Sequence, residues 1–203
     1  MAVALIAVAG SAQAWGLGAR IGTTGIGGDF GFDVAPTLGG RIGYSAGSFN
    51  RDVNTSDVNY DAKFKASNLN LLLDWSPLGP FRISAGFIAN DNKIDVNGTG
   101  NPGTAFQGST VTGQIKPAKD FAPYLGIGYG NVWTAGLNFY FDLGIMFQGS
   151  PQVSLQVNCS ASTTPAQCAA AQSQGEAERQ RLQDKVDKYK YYPVANIGIT
   201  FGF

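Results

Sequence analysis

The chain contains no histidine among its 203 residues. That removes Ser-His-Asp and Cys-His catalysis, together with every imidazole-ligated metal mechanism. Charge is scarce too. The 14 Lys+Arg and 14 Asp+Glu make up 14% of the chain and balance to a formal net charge of zero, against roughly 25% charged residues in soluble domains. No basic field is available to recruit nucleic acid. The two cysteines, without histidine, form no credible metal site, and neither a metal nor a cofactor is expected. No stretch approaches the ~18 uninterrupted apolar residues of a membrane-spanning helix. Gly25, Gly27 and Gly28 precede no Gly-Lys-Ser/Thr and no helical pattern, so they read as a tight hairpin rather than a phosphate loop. These absences point away from an enzyme.

What is present is glycine (28 residues), phenylalanine (13), tyrosine (8) and tryptophan (3), in a chain that is 44% hydrophobic. Such a composition excludes disorder. The apolar run Ala2 to Ala9 leads into Gly10-Ser11-Ala12-Gln13-Ala14, whose Ala12-Gln13-Ala14 is a small-x-small cleavage site. Residues 1–14 therefore read as a secretory signal peptide and 15–203 as the mature domain. No basic residue precedes the run, which is the expectation for a true start upstream of Met1; the alternative is a short buried N-terminal strand. Export suits Cys159 and Cys168, which stand nine positions apart in a polar stretch and are expected to form a local disulfide.

The dominant pattern is a period of two. Leu137, Phe139, Phe141, Leu143, Ile145 and Phe147 alternate with Asn138, Tyr140, Asp142, Gly144, Met146 and Gln148. That span reaches the ~9–11 residues a tilted strand needs to cross a bilayer. Similar alternation occurs around Trp15–Ile21, Phe30–Val34, Leu38–Tyr44, Leu69–Trp75 (with Leu72 the exception), Phe81–Phe87, Leu125–Tyr129 and Ile197–Phe203. Eight strands are predicted. With the N-terminus periplasmic, the connections near Ala35-Pro36, at Ser76 to Pro80 and at Asn131 to Ala135 are short. Three of the four on the other side are long, at about Asn50–Asn59, Val96–Val111 and Cys159–Asp187; only Thr24 to Gly27 breaks the rule. Short turns on one side and long loops on the other, with an even strand count, are the layout of outer-membrane barrels.

One face of each strand holds Phe, Leu, Ile and Trp; the other holds glycine, serine, asparagine and charges, which cannot build an apolar core. Apolar side chains outward and polar ones inward imply an eight-stranded, antiparallel, up-and-down transmembrane β-barrel in the bacterial outer membrane. Its partners are then outer-membrane lipid and lipopolysaccharide. Trp15, Trp75, Trp133 and Tyr129 lie near predicted periplasmic strand ends, as an interfacial aromatic girdle requires. Phe203, with Phe201 and Ile199 at alternating positions, resembles the C-terminal aromatic signal read by the barrel-assembly machinery. Ser173-Gln174-Gly175-Glu176 resembles a capping box opening a short helix over Ala177–Asp187 in the last long loop.

Parity projects Arg20, Arg41 and Arg82 into the lumen with Asp33, Asp74 and Asp142. Two readings stand side by side. The six charges pair into a network that staples the barrel, or they line a constriction selecting small zwitterionic solutes.

Four blocks in order resemble the CarO family of carbapenem-resistance-associated outer-membrane proteins: Gly22-Thr23-Thr24-Gly25-Ile26-Gly27-Gly28, Asp120-Phe121-Ala122-Pro123-Tyr124-Leu125-Gly126, Gly149-Ser150-Pro151-Gln152-Val153 and Tyr192-Pro193-Val194. Ala122-Pro123-Tyr124 is also similar to OmpW-type barrels. The CarO resemblance implies an eight-stranded barrel that passes small solutes, with basic amino acids such as ornithine and carbapenems as candidates. Cys159 and Cys168 depart from that family's pattern, which leaves loop-borne solute preference open. The leading expectation is a channel-like barrel for passive uptake of small hydrophilic solutes. Its rival is a non-conducting structural or interaction barrel acting through its extracellular loops. A third, lateral passage of hydrophobic compounds, predicts an apolar lumen.

Overall fold

Alternation makes a strand amphipathic, and a strand with one greasy face must find both a partner edge and an apolar surround. In the computed structural model, which describes residues 14–54, 58–101, 109–160 and 163–203, eight strands meet both needs by closing on themselves. They are β1 (Trp15–Gly22), β2 (Gly25–Ala35), β3 (Leu38–Asn54), β4 (Val58–Leu78), β5 (Phe81–Asn90), β8 (Phe121–Tyr129), β9 (Gly136–Met146) and β11 (Tyr192–Gly202). Each pairs antiparallel with the next. The ring closes where β11 returns to β1, with Leu17 opposite Phe201 and Arg20 opposite Gly198. All eight predicted strands fall in this ring. The proposed signal peptide lies, apart from Ala14, outside the described residues.

Burial follows the predicted parity. Leu137 and Phe139 are more than two-thirds exposed on the outer face, while Tyr140 and Asp142, which follow on the other face, are buried. Leu17, Ile42, Leu71, Leu73, Ile127, Ile197 and Phe201 are outward and exposed in the same way. A continuous apolar belt of this extent is foreign to a water-soluble monomer and suits hydrocarbon.

Among the described residues, the long connections carry strands and a helix. Lys93–Gly100 (β6) and Thr110–Lys116 (β7) form a hairpin that pairs with the N-terminal half of β4, and Gln152–Asn158 (β10) adds to β7. Strand β4 thus has two partners along one edge: Asn68–Leu78 pairs with β5 in the ring, Val58–Lys65 with β6 above it. Register lines up Phe64, Ile94, Ile115 and Val153 on one face of this extension, and Lys63, Asp95, Gln114 and Ser154 on the other. Expecting loops at 50–59 and 96–111 was, for the parts of them among the described residues, an error of partnership. These segments are too short to announce strands alone, and β10, which completes them, is distant in sequence.

The predicted helix also needs correcting. Helix α1 runs Pro165–Val186, not from Ala177; its N-cap is Thr164, whose side chain and Gln167 form the capping box, with Pro165 in the first turn. Gly175, read as part of a cap, instead lies mid-helix against β10. A Cβ there would stand 2.5 Å from the Val157 side chain. Ala171 is buried beside it with Val111 and Val157. Cys159 and Cys168 are joined in a disulfide that ties the end of β10 to the first turn of α1.

Candidate functional site

The barrel interior is the place where chemistry and transport would meet, and it is built in layers. At the end carrying the short turns, segment Asn131–Ala135 folds inward. Val132 is fully buried, and the Trp133 indole lies over Gly39, whose added Cβ would come within 2.5 Å of three ring atoms. A Cβ on Gly16 would strike the Val132 carbonyl oxygen at 2.0 Å. Only glycine permits this close approach. Trp133 is therefore not part of the outward girdle, which is a correction. Its turn is held inward by Ser76 Oγ donating to Asn131 Oδ1 (2.9 Å), by the Gly130 amide donating to the Pro80 carbonyl (2.8 Å) and by Arg82 donating to the Gly130 carbonyl. Trp15, Trp75 and Tyr129 do face outward at that end, each 41–50% exposed. Phe203 stacks on Trp15 at 4.3 Å between ring centroids, and its amide donates to the Trp15 carbonyl.

The middle layer is ionic. Arg41 bridges two carboxylates, with Nη1 2.6 Å from Asp142 Oδ2 and Nε 2.9 Å from Asp74 Oδ2. Arg82 Nη2 donates to Asp142 Oδ1 at 2.5 Å, and Ser84 Oγ donates to Asp74 Oδ1 at 2.5 Å. Arg20 Nη1 donates to Asp29 Oδ1 at 2.9 Å and Nη2 to Ser45 Oγ at 3.3 Å; the Asn70 amide oxygen, turned towards Arg20, accepts at 2.5 and 2.6 Å. Tyr140 ties the halves together. Its hydroxyl donates to Asp29, and the Arg41 and Arg82 guanidinium carbons stand 5.8 and 5.5 Å from its ring centre. Three arginines and three aspartates, all buried, cancel completely.

Five of the six lumen charges predicted from parity are in this cluster. Asp33 is not. It sits half-buried near the turn end of β2, and Asp29, two pleat repeats higher on the same face, pairs with Arg20 instead. Parity alone could have found Asp29, which shares the inward face with Gly27 and Gly31. Tyr140 could not have been found as the hub, because a tyrosine opposite a greasy face reads equally well as girdle.

Above the ions lies an apolar layer of Leu72, Ile88, Ala122, Tyr124, Met146 and Val194. Leu72, the exception to the alternation of β4, belongs here. Buried amides and hydroxyls complete the filling nearer the mouth: Asn68 Nδ2 donates to Asn92 Oδ1 (2.9 Å), and Thr24 Oγ1 to Asn196 Oδ1 (3.1 Å). Eight strands enclose little more than their own side chains, and here those side chains are large.

Outside the membrane belt the chemistry differs. Lys65 Nζ lies 2.6 Å from Asp95 Oδ2, and Gln114 Nε2 donates to Asp95 Oδ1 at 2.7 Å. Those two hydrogen bonds, the lysine's first, hold the Asp95 carboxyl below the ordinary carboxylate range. On the opposite face, Val96, Val111, Ile115, Leu155 and Leu182 line an apolar hollow of about 270 Å³ between the extension and α1.

No family profile and no curated protein matches the chain. Among solved structures, CarO of Acinetobacter baumannii is 27% identical over 93% of this chain and 97% of its own, with a TM-score of 0.62. CarO2 of the same organism shares the fold at 23% identity, covering 94% of this chain and 98% of its own with a TM-score of 0.62. The resemblance to CarO thus holds over nearly the whole barrel, and the chain is a bacterial outer-membrane protein. These comparisons do not show the similarity to OmpW-type barrels.

Proposed function

From a CarO-like barrel in the outer membrane, we propose a protein that keeps no standing axial pore and works through the domain raised on its extracellular side. The single observation behind this reading is the filled interior: Trp133 at one end, the ion-paired arginines around Tyr140 in the middle, and the Leu72–Met146 layer above. The extension β4-β6-β7-β10 and α1, with its apolar hollow, is the part left free to meet the outside. Passive uptake of small hydrophilic solutes, amino acids included, is the second reading. The balanced charge of the interior favours it, and it requires the Val132–Trp133 turn to swing out and the ionic layer to part. In a planar bilayer the purified barrel is expected to give no steady single-channel current. A stepwise current whose ion preference changes in Arg82→Ala or Asp142→Asn would overturn the proposal in favour of a charged constriction.

A further inference from the structure

Lysines gather at two places on the extracellular rim, and two of those on the extension side are held in ion pairs. Beneath the extension, Lys65 pairs with Asp95 and Lys93 with Asp91. Across the mouth, where β8, β9 and β11 end, Lys119, Lys188 and Lys190 are exposed, and among the described residues none of them enters an ion pair. The backbone gathers them. The Lys119 amide donates to the Gln148 carbonyl at 3.1 Å, and the Gly149 amide donates to the Lys190 carbonyl at 3.2 Å, so Lys119 and Lys190 flank the same dipeptide. Lys188 Nζ stands 5.3 Å from the Tyr189 ring centre. Two acids are neighbours in sequence: Asp187, which accepts from Gln183 Nε2 at 2.7 Å, and the exposed Asp120. Three lysines against two acids leave the patch basic.

Directly below it the outer face is aromatic. Phe121 and Tyr191 are at least 60% exposed, and Phe147 meets Tyr191 edge-on at 5.5 Å. These rings top the apolar belt at the height where hydrocarbon gives way to headgroups. A ligand touching both layers must carry acyl chains below and negative charge above. We infer that the rim between β8 and β11 binds the phosphorylated headgroup of an acylated outer-leaflet glycolipid, with Lys119, Lys188 and Lys190 on its phosphates and Phe121 and Tyr191 against its chains.

Native mass spectrometry of the detergent-purified full chain tests this with diphosphoryl lipid A, its dephosphorylated form and phosphatidylethanolamine as probes. Diphosphoryl lipid A is expected to remain bound where the other two dissociate. The triple variant Lys119→Gln/Lys188→Gln/Lys190→Gln should bind it at least about tenfold more weakly, because each lysine near an anionic lipid surface adds to retention. The corresponding triple arginine variant should retain it, and Lys65→Gln/Lys93→Gln, on the paired side, should bind as the parent does. Equal retention of the dephosphorylated lipid, or undiminished binding by the triple glutamine variant with its heat-modifiable barrel intact, would overturn the inference.

Discussion

Arg41–Asp142 inside the barrel and Lys65–Asp95 on the extension are ion pairs of the same length, 2.6 Å, in different surroundings. The first pair is sealed, with side chains 0% and 3% exposed; the second is open, at 41% and 24%. A buried charge that loses its partner keeps its desolvation cost, whereas an exposed one regains water. Equal geometry therefore carries unequal consequence. The interior network makes the barrel intolerant of change, while the extension's polar face can vary at little cost, which is where a surface meeting changing partners would sit.

The comparison can be broken most forcefully at Arg41. Arg41→Met takes the 2.9 Å partner from Asp74 and leaves Asp142 with Arg82 alone, which is expected to lower unfolding stability by about 3–5 kcal/mol, read by urea titration in lipid vesicles. A loss below about 1 kcal/mol would mean that water reaches the cluster and the contrast between the two regions is false. Next comes the covalent tie of the extension. Cys159→Ser/Cys168→Ser opens a short loop worth about 2–3 kcal/mol on the chain-entropy account. The loss should appear as faster hydrogen exchange in α1 and β10 with the ring's unfolding midpoint unchanged. A fall in the ring's own midpoint would show that the two regions are one cooperative unit.

Gly39→Leu drives a side chain into the Trp133 indole and should cost about 1–3 kcal/mol by overpacking. The same denaturant titration reads it, with bilayer conductance as a second measure of whether displacing the turn opens a path. The smallest effect belongs to Lys65→Met, a few tenths of a kcal/mol after discounting for solvent screening. Its pH dependence has a definite sign. The depressed Asp95 carboxyl contributes stability that is present above its unfolded value and lost as pH falls through its folded one. Exchange protection of β6 should therefore fall on acidification below about pH 4 in the parent, and fall less in the Lys65→Met variant, where Gln114 still donates to Asp95.

Much of this molecule was legible in the chain. Parity along β9 separated Phe139 and Phe141 from Tyr140 and Asp142, and the same rule assigned Arg20, Arg41, Asp74 and Arg82 to the interior. What escaped were facts about partners. Asp33 and Asp29 share an inward face, and only the stagger of β2 against β1 places Asp29 beside Arg20. Trp133 looked like the other girdle tryptophans because a turn's composition does not disclose which way the turn folds. The extension was hidden because β4 changes neighbours midway, from β5 to β6, and nothing in its residues marks the exchange.

Side-chain alternation is a local property, so the residues alone determined that these strands have a greasy and a polar face, how many cross the membrane and which connections are long. Whether the polar middle is a passage or a packed interior depends on side chains reaching across the ring from strands far apart in sequence, such as Arg41 to Asp142 and Trp133 to Gly39. Only closure of the sheet brings those groups within contact distance, and there tertiary structure decided that the space is filled.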